Sequence, residues 1–189
     1  MTPVDTIQFE NGLSARIFHD ADVEQPFSDD DAVRIVILHR RYLDPSHGEC
    51  GRTPEEVAAW EEQNSGAWFT IPLFHYNHGG TLYRVGHSNP FHCPWDFGRV
   101  GIVALKCSEW GNGGEPDCKL AEYAAGVAAT YTRWANGEVY GYVLHDRAGR
   151  EIDSCRGFIG IESVRQGATE AAAVSPATED SAVGAGGAA

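Results

Sequence analysis

The sequence predicts an α+β fold, and three observations point to it. Short β-branched or alternating segments recur from the first residues to about residue 161. One stretch alone, from about Pro116 to Ala135, carries a long helical apolar period, and strands do not alternate regularly with helices. The expectation is therefore a single domain over residues 1–166. It consists of a mostly antiparallel sheet packed against one long helix, with one short helix besides, and is followed by a disordered tail over residues 167–189.

Each element has a local cause. IQFE and LSARIF flank Asn11-Gly12, the favoured dipeptide of a two-residue hairpin turn. VRIVIL at 33–38 reads as a buried strand that delivers His39, Arg40, Arg41 and Tyr42 at its end. Thr53, Pro54 and Glu56 form a capping-box pattern that opens a short helix reaching Gln63. Strands follow at 68–76, 81–85 and 100–106, broken by Gly79-Gly80 and by the loop from Pro90 to Gly98. In the long helix Leu120, Tyr123, Val127, Tyr131 and Trp134 recur at spacings of three and four, and Asn136-Gly137 ends it. Segments 139–144 and 152–161 form a last strand pair around a turn at 146–149. From Gly167 onward the chain is Ala, Gly, Ser, Thr and Glu with no aromatic residue, a composition that does not offset ordering entropy.

Composition narrows the classes of function. The net charge is −13, and residues 1–65 hold 14 acids against 5 bases. Phosphate repulsion disfavours direct binding of nucleic acid. No apolar run approaches the length of a membrane span, and the opening residues lack a signal-peptide pattern, so a cytoplasmic protein without a membrane partner is expected. Five cysteines without a CxxC spacing indicate reduced thiols.

Chemistry concentrates in 74–96, FHYNHGGTLYRVGHSNPFHCPWD, which holds four of the eight histidines. Imidazole, thiolate and carboxylate are the groups that carry acid–base, nucleophilic and metal chemistry near neutral pH. A thiol-enzyme reading makes Cys93 the nucleophile and His78 the base, with Asp96 or Asp153 orienting the imidazole. A zinc reading draws on His78, Cys93, Cys155 and either His39 or His92. Asp153 and Cys155, two apart on a strand, share a face. A binding reading uses the acidic patch of Glu24, Asp29, Asp30 and Asp31, the strand end with His39 and Arg41, or the Cys93 loop with Trp95.

Several blocks resemble those of a group of uncharacterised small proteins encoded by bacteriophages and mobile elements. In that group the blocks read E-x-P-x-x-x-D…H-x-R-Y, H-S-G, P-F-S-C-P-W-D-S-G-Q-V-G, G-D-V-Y-G and D-S-C-W-G-F. Matching residues include Glu24, Pro26, Asp30, His39, Arg41 and Tyr42, then His78, then Cys93, Trp95, Asp96 and Gly101, and finally Tyr140, Gly141, Asp153 and Cys155. His92, Phe97, Arg99 and Arg156 depart from the pattern. The resemblance implies a phage origin and a place in the cytoplasm of an infected or lysogenic bacterial host. The expected function is an accessory protein that binds a host protein or a small ligand. The alternatives are a cysteine hydrolase or transferase and a zinc-stabilised interaction module.

Overall fold

The structure, a computed structural model, describes residues 2–41, 44–46, 48–91, 97–110 and 117–175. The elements in chain order are β1 (Asp5–Gln8), β2 (Ser14–His19), β3 (Val33–Ile37), α1 (Pro54–Asn64), β4 (Trp68–Asn77), β5 (Thr81–Val85), β6 (Phe97–Lys106), α2 (Cys107–Trp110), α3 (Asp117–Ala135), β7 (Val139–His145), β8 (Glu151–Ile159) and α4 (Ile161–Val174). The class is α+β. The strands form two four-stranded antiparallel sheets rather than the one expected, ordered β1-β2-β7-β8 and β3-β6-β4-β5. Contacts cluster into a terminal unit, Met1–Ala21 with Val139–Ala189, and a central unit, Asp22–Glu138.

In the terminal unit, alternation along β2 turns Ala15 and Ile17 inward with Tyr142 and Leu144 of β7, while Arg16 stays exposed. The β1–β2 connection has three residues rather than two. The Phe9 N–H donates to Leu13 O at 3.0 Å, and Gly12 takes the left-handed conformation (φ 83°) that such a loop needs. Asp146 holds the β7–β8 turn: its buried carboxylate accepts from the Arg150 and Ala148 N–H groups, both at 2.9 Å, and from the Arg150 guanidinium. The Arg150 backbone N–H, followed by its guanidinium and the Ala148 N–H, holds this carboxyl below its ordinary range.

The tail expectation needs correction. Residues 167–174 belong to α4, whose Val164, Ala168 and Ala172 are buried against the sheet. Small residues are what close packing requires here, since a Cβ on Gly167 would sit 2.6 Å from the Phe158 ring. The Asn11 amide ties the hairpin to the helix by donating to Ala172 O at 2.9 Å. Residues 176–189 lie outside the described residues.

The sheet of the central unit is covered on both faces. α3 packs Val127 and Tyr131 on Ile35, Leu73 and Val103, and α1 packs Val57 on Val36, Ile102 and Cys50. Double coverage accounts for the unbroken apolar run of β3. The edge strand β5 is closed by side chains from α3 and the residue that follows it. Asn136 bonds Thr81 N and O at 3.0 and 2.7 Å, and the Thr132 hydroxyl accepts from Tyr83 N at 2.9 Å. Arg34 pins the entry to β3: its guanidinium donates to Asp30 O, pairs with Glu49 at 2.8 Å and lies over Trp68.

Candidate functional site: a cleft at the end of β3

The site is built where β3 stops. Beyond Ile37 the ladder runs one bond further, with Leu38 N–H donating to Val100 O at 2.7 Å, and His39 then leaves the sheet. Opposite, β6 carries a bulge. Gly101 pairs with Leu73 and Arg99 with Phe74, which leaves Val100 as the extra residue. A bulge bends its strand and re-aims the side chains beside it, and here Arg99 and Val100 line the wall of a cleft.

The third wall is α1. Thr53 caps it by accepting from Glu56 N at 3.2 Å, and the Glu56 carboxylate accepts from Arg52 N at 2.7 Å, so capping groups already occupy the end of the helix. Its Ala58 and Glu61 line, with Leu38 and Arg99, a cavity of about 490 Å³ whose base is the packed pair Val57 and Ile102. A second cavity of about 470 Å³ shares Leu38 and His39 and continues past Arg40, Asp44, Gly48 and Arg52. One lobe is mainly apolar and the other mixes apolar with charged residues, with His39 lining both. His39 Nδ1 accepts from Arg41 N at 3.3 Å.

His75, buried in β4 against the Tyr83 ring at 4.9 Å, has its imidazole pKa lowered by burial first and by the charge of His39 second. A base whose folded value lies below its unfolded value of about 6.5 leaves the unfolded chain with more bound protons below that pH. Its contribution to stability is retained above about pH 6.5 and lost as pH falls from there through the folded value. Urea unfolding between pH 7.5 and 5 should show this loss, and His75→Phe should reduce the pH slope.

The other sequence candidates are dispersed. Cys93, Trp95, Asp96 and His92 lie outside the described residues, so the proposed Cys93–His78 pair does too. His78 is exposed in the bend after β4, 6.2 Å from the Tyr76 ring. Asp153 and Cys155 belong to the terminal unit and share a face of β8, paired with Leu144 and Tyr142. Asp153 accepts from the Tyr142 hydroxyl at 3.0 Å; burial, and then that carboxylate, push the Tyr142 hydroxyl up to about 12. Asp30 serves the turn before β3, accepting from Ala32 N at 2.7 Å, whereas Glu24, Asp29 and Asp31 are exposed. Arg41 is exposed, and its backbone N–H donates to His39. Among the described residues no three His, Cys, Asp or Glu side chains gather as metal ligands, and no helix is long and apolar enough to cross a membrane.

Sequence reasoning placed His39 at a strand end but did not gather Arg40, Arg52 and Glu61 around it. Arg40, adjacent to His39, was the available signal. The bulge that brings Arg99 alongside has no counterpart in periodicity. No family model, curated protein or solved structure matches the chain.

Proposed function

We propose that the protein is a phage-type accessory protein that binds a small ligand, and that its ligand site is the cleft at His39. The observation that carries this reading is the pair of cavities sharing Leu38 and His39, one mainly apolar and one with charged residues among its lining. Their size suits a small molecule, and ligand sites combine an apolar lining with a few convergent polar groups. His39 and Gly101 also fall in the blocks that resemble phage-encoded proteins, which supports the accessory role.

Ala58 supplies the test, because it lines the cleft from an exposed position on α1. Ala58→Trp should fill the apolar lobe while changing stability by no more than about 0.5 kcal/mol, as expected for a surface substitution. A small-molecule panel screened by calorimetry should yield a binder whose affinity falls at least about tenfold in this variant, the equivalent of ~1.4 kcal/mol. Binders that ignore the substitution, or a panel without binders, would count against the reading.

A further inference from the structure

We infer that the ligand of this cleft is a phosphate-bearing small molecule with a flat, weakly polar body, an inference that rests on the cleft being the ligand site. The chain carries a net charge of −13, yet this cleft gathers cations. Arg40, Arg52 and Arg99 line it together with His39. Among the described residues none of the three arginines is in an ion pair.

Two carboxylates stand against the three arginines: Asp44, whose Oδ1 accepts from the Ser46 N–H at 2.9 Å and hydroxyl at 2.6 Å, and Glu61 on α1, so cations outnumber acids in the lining. Guanidinium groups bind phosphate through paired N–H donors, and a doubly charged phosphate suits several cations better than a single carboxylate does. His39 lies between the lobes, its Nδ1 accepting from Arg41 N at 3.3 Å. The α1 terminus does not compete for the anion, as Thr53 and Glu56 already cap it.

The lobes divide the ligand. Arg40 and Arg52 line the lobe that carries the charged residues and receive the phosphate. Val57, Ala58 and Ile102 line the other, where an apolar or heterocyclic body lies, with Glu61 at its side to accept a hydrogen bond. Arg99, aimed by the bulge at Val100, stands on the wall of this lobe.

Four probes and inorganic phosphate test the inference on the full chain by calorimetry: adenosine 5′-monophosphate against adenosine, and 1-naphthyl phosphate against 1-naphthol. At least one phosphorylated probe should bind, about tenfold or more tighter than its dephosphorylated partner, as charge-assisted hydrogen bonds require. That binding should weaken with rising salt. It should also weaken at least about tenfold in Arg40→Gln/Arg52→Gln, whose side chains are exposed, and in Ala58→Trp. Inorganic phosphate should respond to the arginine pair and not to Ala58→Trp. The inference is overturned if the dephosphorylated partner binds as tightly, if salt and the arginine substitutions have no effect, or if neither phosphorylated probe binds. Adenosine or naphthol binding that Ala58→Trp abolishes would keep the cleft as a ligand site while removing the phosphate. Phosphorylated probes that bind Ala58→Trp unchanged would remove both readings.

Discussion

Gly101→Ala should unfold the central unit. A Cβ on Gly101 would overlap the carbonyl oxygen of Val36 and lie 2.8 Å from its carbonyl carbon, both on the neighbouring strand β3. The obstacle is backbone, so no rotamer change relieves it, and β3 would have to separate from β6. The loss should be on the order of 4 kcal/mol, a size reserved for a few specific mechanisms of which overpacking is one. Gly126, exposed on α3 with nothing within 4 Å, is the contrast. Gly126→Ala should stabilise by about 0.5–1 kcal/mol through helix propensity and loss of unfolded-state freedom. All five tryptophans lie between residues 60 and 134, within the central unit, so fluorescence-detected urea unfolding reports on both variants directly. Equal midpoints for the two would contradict this account of β6.

Ala168→Asp should do comparable damage to the terminal unit. Ala168 is fully buried between α4 and the β2–β7 face, and a carboxylate there would have neither water nor a partner. An uncompensated buried charge costs on the order of 3 kcal/mol or more, unless the group takes up a proton. Hydrogen exchange in β7 and β8 should accelerate by the corresponding factor. Glu170→Gln, on the exposed side of the same helix, should leave exchange unchanged. An Ala168→Asp protein with native exchange rates would mean that α4 does not cover this sheet.

α4 also shows where sequence reasoning stopped. Composition from Gly167 onward is that of a linker, because alanine and glycine bury little area each. The spacing Val164, Ala168, Ala172 is nonetheless a helical stripe, continued from Ile161. Small residues permit a close approach to Phe158 that larger ones would prevent, a property of the packed pair and invisible in either segment alone. Elements with strong local signals were legible: the Thr53 cap, the turn at Asn11-Gly12, the buried run of β3 and the apolar stripe of α3 all formed within a few residues of expectation. The division of the strands into two sheets was not, since strand neighbours β2 and β7 are over a hundred residues apart in sequence.

The candidate site was legible only as fragments. A strand end carrying His39 and Arg40 is a local feature. Its meeting with Arg99 depends on a bulge in β6, and its meeting with Ala58 and Glu61 depends on the face that α1 turns to the sheet. The histidine-rich segment drew attention through composition, and within it His75 is a buried member of the sheet core whereas His78 stands in an exposed bend.

A small ligand held in the cleft at His39 should be visible in a methyl and imidazole NMR map of the full chain, recorded with and without the tightest binder from the calorimetric panel. The account predicts shifts at Leu38, Val57, Ala58, Val100 and Ile102 and at the His39 ring, with Val143 and Val164 of the terminal unit unmoved. Shifts confined to the terminal unit, or spread over the surface with the His39 ring and Ala58 unmoved, would contradict it.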